Sequence, residues 1–181
     1  MFTLNIKNRN VLLKDIKPEQ LPLLLKWYNN IEDFSYATGI DTPITMEKLA
    51  CKYAEVAICS NEFFAGIYLV DEKKMIGIVK GSLKHKEKNS VWISSIVIDA
   101  QYQRKGYGRE TITLLLDFLK TNNGIKDALL SVIEDNLKGR AFWRRLGFSE
   151  LKEMENHIRL HNTLQNVIIM HKHIGEFSKG N

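Results

Sequence analysis

The sequence predicts an α/β domain whose sheet is mostly antiparallel, with one central pair of parallel strands and helices on both faces. An apolar strand at Val91–Ile98 leads through a glycine turn and a helix to a second apolar strand, Ala128–Ile133. This strand–helix–strand order implies parallel strands joined by a right-handed crossover. The other strand-like segments are joined mainly by short polar turns, as in antiparallel sheets. With 181 residues and 44% hydrophobic content, we expect one domain over residues 1–181.

The first half of the chain contributes two helices to this prediction. A helix begins at Pro18, since proline suits a first helical turn, and runs to about Asn29. Thr45 is predicted to cap a second helix, from Met46 to about Ala54. Between them, Ile31–Thr45 is predicted to be a polar connection. The predicted strands before the central one are Phe2–Lys7, Asn10–Ile16, Glu62–Val70 and Met75–Leu83.

The second half surrounds and follows the central strand. The basic run Lys84–Lys88 is predicted to be a solvated hairpin turn. A helix over Glu110–Thr121 has apolar residues at helical spacing and ends before Gly124. A further helix spans Leu137–Leu146. The closing antiparallel pair is predicted at Phe148–Glu155 and Asn166–His173.

Charge and cysteine content narrow the functional classes. A net charge of +5 and a pI near 9.1 fit an anionic ligand. Nucleic acid stays a weaker alternative, because no aromatic-and-basic RNA motif or zinc pattern is present. Cys51 and Cys59 are interpreted as free thiols in a reducing cytoplasm. No signal sequence or bilayer-spanning segment is recognised, so we expect a cytoplasmic protein without membrane or nucleic-acid partners.

The segment Gln103–Gly108, QRKGYG, joins the central strand to a helix and predicts an anion site. The first amides of a helix have no partner within it, and the helix dipole adds positive charge at the same end. Glycines let a phosphate approach the backbone closely, and Arg104 and Lys105 add charge. A P-loop is excluded because no Gly-Lys-Ser/Thr follows. A dinucleotide fingerprint is excluded because position 111 is Thr111.

The pattern Gln/Arg-x-x-Gly-x-Gly/Ala after a strand resembles the pyrophosphate loop of the GNAT acyl-CoA N-acetyltransferases. The resemblance covers nearly the whole chain and is sharpest over residues 90–148. It implies a GNAT-like fold, acetyl-CoA as co-substrate, no metal, and an amine acceptor. The loop residues that it assigns to the cofactor are Gln103, Arg104, Lys105, Gly106, Tyr107 and Gly108.

The segment from Asn136 to Phe148 resembles the family's second cofactor segment. The resemblance places Asn136, Gly139 and Trp143 at the cofactor. From the residues alone, Asn136 can cap the helix and offer its amide to the pantetheine. Gly139 costs a helix about 1 kcal/mol against alanine, which favours a close contact there. Phe142 and Leu146 are interpreted as core residues of an amphipathic helix.

The predicted mechanism is direct attack of an amine on the thioester in a ternary complex. The two parallel strands are expected to splay apart, and the backbone amide of Val97 or Ile98 would polarise the thioester carbonyl. A covalent cysteine route is not favoured, because Cys51 and Cys59 lie outside both motifs.

Two departures from the family affect proton transfer. Trp92, Ser94 and Ser95 occupy the positions where many members carry a carboxylate base, and Trp143 replaces a tyrosine acid. Base catalysis would then fall to a water chain or to Glu134 and Asp135, whose alternative role is helix capping. The thiolate can leave unprotonated, because thiols are comparatively acidic.

Several alternatives stay open. The acceptor could be a small amine, an antibiotic or a protein N-terminus, and a homodimer is left open. A catalytically weak acyl-CoA-binding or regulatory module is the second hypothesis, and a nucleic-acid-binding protein the third. Trp27 and Tyr28 are interpreted as core, with Tyr36 undecided between core and acceptor pocket. The histidines 161, 171 and 173 lack an evident fourth ligand, so we expect no metal.

Overall fold

The computed structural model describes residues 1–84 and 89–175, so most of the predicted turn at Lys84–Lys88 lies outside the described residues. Its eight-stranded sheet has the order β1-β2-β3-β4-β5-β6-β8-β7. The β5–β6 pair is parallel and every other neighbouring pair is antiparallel. The predicted fold class is confirmed. The strands are β1 Asn5–Lys7, β2 Val11–Asp15, β3 Glu62–Leu69, β4 Met75–Lys84, β5 Ser90–Ile98, β6 Asp127–Ile133, β7 Ser149–Leu160 and β8 Thr163–His173.

Five α-helices are present in the described part of the chain. The predicted cap is confirmed, since Thr45 Oγ1 accepts the Lys48 amide hydrogen at 3.2 Å. Two short 3₁₀ helices are also present. Pro18–Gln20 comes before α1, and Ala100–Tyr102 comes before Gln103–Gly108, the segment that we call the anion loop. The α-helices are α1 Leu21–Tyr28, α2 Ile31–Thr38, α3 Met46–Ile58, α4 Tyr107–Asn123 and α5 Leu137–Arg145.

The prediction of a polar connection over Ile31–Thr45 was wrong, because α2 occupies its first half. The Asn30 side chain accepts the amide hydrogen of Asp33 at 3.4 Å and so caps the helix. Gly39 ends it at φ +67°, which glycine adopts without strain. Phe34 is 4% exposed and anchors α2 to the core. Burial of that one side chain stabilises a segment whose periodicity is too short to indicate a helix by itself.

The helices cover both faces of the sheet. On one face, α4 and α5 pack Ile112, Leu115 and Trp143 against apolar side chains of β2 to β6. On the other face, α1, α2 and α3 pack against Phe64, Ile78, Val97 and their neighbours. Alternation of side chains along the strands supplies both layers, so the central strands are apolar on both sides.

The parallel pair separates before either strand ends. Pairing of β5 with β6 runs from Ser90–Asp127 to Ile93–Leu130. Beyond Leu130, β6 stays paired with β8 as far as Ile133, while β5 stays paired with β4 as far as Ile98. The β4–β5 register shifts where β5 carries an extra residue, and such bulges bend a strand. A gap therefore opens between β5 and β6 at their carboxyl ends.

Among residues 1–84 and 89–175, no helix combines the length and apolar composition needed to cross a bilayer. Cys51 and Cys59 are both free.

Candidate active site

The loop between β5 and α4 has a backbone shaped by glycine. Gly106 adopts φ +90° immediately before α4, and Arg104 adopts φ +60°. The Gln103 Nε2 group donates a 2.9 Å hydrogen bond to the Ile98 carbonyl, which holds the loop against the end of β5. Positive φ at Gly106 is favourable only for glycine, so this residue determines how the chain enters the helix.

The amides of this loop are free to bind an anion. The N-terminus of α4 has no side-chain cap, although the helix is 17 residues long. Its first amides, starting at Tyr107, have no partner within the helix. Within the described residues, the amides of Arg104, Lys105 and Gly106 donate no hydrogen bond. An uncapped helix end beside unpaired loop amides fits a diphosphate.

A groove of about 730 Å³ opens in front of these amides. Among the described residues, four cationic side chains and no carboxylate line it, so its charge complements a diphosphate. Two of the cations, Lys138 and Arg145, come from α5, and the other two come from the loop and α4. The lining residues are Ile96, Ile98, Tyr102, Gln103, Arg104, Gly106, Gly108, Arg109, Leu137, Lys138, Ala141, Phe142 and Arg145.

Five of these residues lie on one face of α5 and were not predicted as groove residues. Their spacing over positions 137, 138, 141, 142 and 145 is the helical repeat, which could have identified the face. The sequence predicts Phe142 as a core residue, yet it lines the groove and is only partly buried. A Cβ placed on Gly108 would lie 3.4 Å from Phe142 Cε2, so the two helices touch beneath the groove. The core prediction for Leu146 is confirmed by its 9% exposure.

Asn136 and Gly139 form the N-terminal cap of α5. The Asn136 Oδ1 atom accepts the Gly139 amide hydrogen at 2.8 Å. A Cβ on residue 139 would lie 2.4 Å from Asn136 Nδ2, so glycine is required by the cap itself. Neither residue lines the groove. The Nδ2 group of Asn136 donates no hydrogen bond within the described residues, so it can still donate to a ligand.

Trp143 is not part of the groove lining. It is 7% exposed and lies in the core, with ring centroids 4.9 Å from Phe142 and 5.2 Å from Phe148. The structure therefore does not bring Trp143 to the cofactor site that the resemblance implied. Residues two apart on a helix point to nearly opposite sides, so Trp143 faces the sheet whereas Ala141 lines the groove.

Of the two candidate oxyanion amides, Ile98 faces the gap. The Asp99 amide donates to the Ile76 carbonyl at 2.8 Å, so residues 99 and 76 form a hydrogen-bonded pair. In an antiparallel ladder such pairs recur every second residue, which directs the Val97 amide toward Ile78 on β4. Ile98 then points its amide and carbonyl away from β4. The bond from Gln103 to the Ile98 carbonyl is consistent with this direction.

Glu134 and Asp135 lie just beyond β6 but do not line the groove. The Glu134 carboxylate accepts a 3.0 Å hydrogen bond from Asn166 Nδ2, which also donates to Glu153 at 3.2 Å. The Glu134 carbonyl accepts from Arg140 at 3.2 Å. Both Glu134 contacts secure the turn into α5.

The opposite side of the gap is bounded by α2 and the β7–β8 turn. The Ser95 hydroxyl donates to the Ala37 carbonyl at 2.7 Å, which fastens α2 to β5. The His161 amide donates to Asp41 at 2.8 Å, and its ring lies edge-on to Tyr36 with centroids 6.2 Å apart. Tyr36 is 42% exposed, so it is not a core residue. Trp27 and Tyr28 are buried, as predicted.

His161 lies apart from the neighbouring pair His171 and His173. His171 and His173 contact Asp127 Oδ1 at 2.7 and 3.0 Å near the start of β6. His161 lies at the other end of β8, where its Nε2 is 3.2 Å from Ser35 Oγ. No group of three or more potential metal ligands is found among the described residues.

The chain is similar to known acetyltransferases. A family model described as the GNAT acetyltransferase family matches residues 25–148. A protein named spermine/spermidine N(1)-acetyltransferase, from Bacillus subtilis, is 27% identical over 136 residues. The match covers 69% of this chain and 88% of that protein.

Solved structures share the fold. A spermidine N-acetyltransferase from Vibrio cholerae, in complex with CoA and spermine, superposes with a TM-score of 0.80 at 22% identity. The match covers 92% of this chain and 96% of that one. A GCN5-related N-acetyltransferase from Brucella melitensis gives a TM-score of 0.81 at 13% identity, covering 96% of this chain and 80% of that one.

Proposed function

Because this chain belongs to the GNAT family of acetyltransferases, which transfer acetyl groups from acetyl-CoA to amines, we propose that its acceptor is a polyamine. The relative from Bacillus subtilis and the structure from Vibrio cholerae both carry names that specify spermidine or spermine. The elements around the gap also carry acidic side chains, which complement a polycation. These side chains are Glu32, Asp33, Asp41, Glu134 and Glu153.

The proposal assigns the diphosphate of acetyl-CoA to the amides of Arg104–Gly108 and the N-terminus of α4. The observation that carries it is the uncapped α4 N-terminus, which opens into a groove lined with cations. Arg104, Arg109, Lys138 and Arg145 would neutralise the phosphates. Asn136 Nδ2 would donate to the pantetheine arm. Lys105 and Tyr107 contribute through their backbone, because neither side chain lines the groove.

In the proposed chemistry, the amide of Ile98 donates a hydrogen bond to the thioester carbonyl. That bond strengthens as the oxygen gains negative charge during attack by the amine, which lowers the barrier. The attacking amine must first lose a proton, since amines are protonated at neutral pH. No carboxylate from residues 1–84 or 89–175 lines the groove, so we assign proton removal to water rather than to Glu134 or Asp135. The thiolate leaves without a protein acid.

The water route has its own test. Glu134→Gln should leave the pH dependence of kcat/KM in place, because the proposal gives Glu134 a structural role. A loss of the acidic limb of that profile, with kcat reduced about a hundredfold or more, would instead identify Glu134 as the base. Asp135→Asn provides the matched comparison on the adjacent residue.

The acceptor is tested by following thiol release from acetyl-CoA with a panel of amines. Spermidine and spermine should be turned over with a kcat/KM at least tenfold above that for butylamine, an aminoglycoside or a peptide N-terminus. Mass spectrometry should find one added acetyl group on the polyamine. Equal rates for butylamine and spermidine would contradict the polyamine assignment while preserving acetyl transfer.

A second candidate function is a catalytically weak acyl-CoA-binding module. It is favoured by the absence of a carboxylate in the groove and by the burial of Trp143. Calorimetry separates the two proposals: acetyl-CoA binding without turnover of any amine would support the binding module. We place the protein in the cytoplasm, which the two free cysteines support.

A further inference from the structure

A second cavity, of about 490 Å³, lies at the β1 edge of the sheet. It shares no lining residue with the groove in front of α4. Strands β1, β2 and β3 form its base, and the first 3₁₀ helix and the β3–β4 turn border it. We call this cavity the lysine pocket, after Lys7, Lys14, Lys17 and Lys73, which line it.

The floor of the lysine pocket is apolar and partly aromatic. Lys7 pairs with Leu12, and Leu12 pairs with Tyr68, so the three side chains share one face of the sheet. A Cβ on Gly66 would lie 2.7 Å from Tyr68 Cε2, which shows that the Tyr68 ring lies back over this glycine. Phe64, further along the same strand, is covered by the helical layer of α1 to α3. Tyr68 packs against this cluster but is only partly buried, and Leu12 is partly buried as well.

The charge of the lysine pocket is unbalanced. Within the described residues, none of its four lysines lies within 4.0 Å of a carboxylate. Of the residues that the structure describes, Asp15 is the only acidic one in the lining. Its Oδ1 atom accepts the Leu4 amide hydrogen at 2.8 Å, so one of its oxygens is already used. The remaining positive charge surrounds an apolar floor, and this combination is complementary to an anion that carries a flat ring.

We propose that the lysine pocket binds a small aromatic polyanion with the chemistry of a nucleotide. The ring would lie on Leu12 and Tyr68, and the phosphates would contact the lysine ammonium groups. The volume falls within the range of small-molecule sites. A single strand of nucleic acid would instead need a basic groove that continues along the surface, whereas these lysines converge on one concavity. The proposal goes beyond the acetyltransferase activity.

The test uses the full chain saturated with CoA, so that the groove in front of α4 is occupied. ATP is titrated by calorimetry, with adenosine as a ring without charge and tripolyphosphate as charge without a ring. ATP should bind at least tenfold more tightly than either. Raising NaCl from about 50 to 300 mM should weaken ATP binding, because the contacts are ionic.

Variants locate the binding. Lys14→Gln combined with Lys73→Gln should weaken ATP about tenfold, the effect of losing two partly solvated ion pairs. Lys48→Gln combined with Lys52→Gln, two exposed lysines on α3, is the matched control and should bind ATP like the parent. Tyr68→Leu should weaken ATP but not tripolyphosphate.

Four results would overturn the proposal. The first two are that ATP gives no heat, or that both double variants bind ATP equally well. The other two are that tripolyphosphate binds as tightly as ATP, or that a twelve-nucleotide single strand, used as a further probe, binds more tightly per phosphate than ATP. All three variants concern residues outside the groove. If CoA fails to bind, that result counts against the proposed function. The ATP affinities of the parent and the variants can still be compared without CoA, so the lysine pocket is tested separately.

Discussion

The indole Nε1 of Trp27 donates a 2.9 Å hydrogen bond to Oδ2 of Asp99, which joins α1 to the residue that follows β5. The other carboxylate oxygen, Oδ1, accepts the Gln101 amide hydrogen at 3.0 Å and caps the 3₁₀ turn before the anion loop. One carboxylate thus connects α1 with the loop that we assign to the diphosphate. Displacing it should affect both.

Trp27→Phe should lower the free energy of unfolding by about 1–2 kcal/mol and raise the KM for acetyl-CoA severalfold, because it leaves Asp99 Oδ2 without its donor. Asp99→Ala should have a larger effect on both. The measurements are denaturant unfolding and steady-state kinetics on both single variants and the double variant. If the hydrogen bond couples the two residues, the double variant will lose less free energy of unfolding than the sum of the two single losses. Strictly additive losses would contradict this coupling.

The cap of α5 leads to a prediction at Gly139. Gly139→Ala should destabilise the protein by about 1 kcal/mol, because the new Cβ would occupy the place of the Asn136 amide and break the cap. Thermal denaturation measures the loss. Asn136→Ala should cost a similar amount, and the double variant little more. A fully additive double variant would show that the two residues act independently.

The anion loop allows a matched pair of glycine variants. Gly106 and Gly39 both have positive φ, and a Cβ on either would meet nothing within 4 Å. Gly106→Ala and Gly39→Ala should each cost about 1–2 kcal/mol of stability, from backbone strain alone. Only Gly106→Ala should weaken acetyl-CoA binding, by tenfold or more, when both are titrated below their unfolding temperatures. Equal acetyl-CoA affinity in the two variants would exclude this loop from the site.

Because Trp143 is buried, we expect its substitution to reduce stability with little effect on acetyl-CoA binding. Trp143→Ala should lower the free energy of unfolding by about 3–5 kcal/mol, because it empties a site between Phe142 and Phe148. Its dissociation constant for acetyl-CoA, measured on folded protein at low temperature, should change less than threefold. Phe142→Ala, which alters the groove lining, should weaken binding more. A larger loss of acetyl-CoA affinity in Trp143→Ala than in Phe142→Ala would instead indicate that Trp143 contacts the cofactor.

Tyr28 gives a prediction about alkaline stability. Burial raises the pKa of Tyr28 from 10.0 to about 12. The folded state therefore keeps the phenol proton longer than the unfolded chain does. Its contribution to stability is complete below pH 10 and is lost as the pH rises toward 12. Two pKa units correspond to about 3 kcal/mol of stability.

Tyr28→Phe removes this titration, so its stability relative to the parent should improve steadily from pH 10 to 12. The measurement is urea unfolding across that pH range, with Tyr36→Phe as the control at an exposed tyrosine. Parallel stability curves for the parent and Tyr28→Phe would contradict the prediction.

The fold was largely predictable because its signals are local. Apolar runs, the Thr45 cap and the glycine stop at Gly124 lie within a few residues of the elements they define. The missed helix α2 has comparable end signals in Asn30 and Gly39, but only eight residues between them. Its stability depends on the burial of Phe34 against distant elements, which a short sequence window does not contain.

The candidate site likewise has some features that neighbouring residues set and others that depend on contacts between distant segments. The uncapped helix, the glycine at position 106 and the basic loop are encoded locally, because a helix end and a backbone dihedral are set by neighbouring residues. Long-range packing, in contrast, makes Phe142 line the groove while Trp143 enters the core, and it turns the amide of Ile98 rather than that of Val97 toward the gap. These orientations depend on the rotation of α5 against the sheet and on the pairing of β5 with β4. Both arise from contacts between segments far apart in the chain.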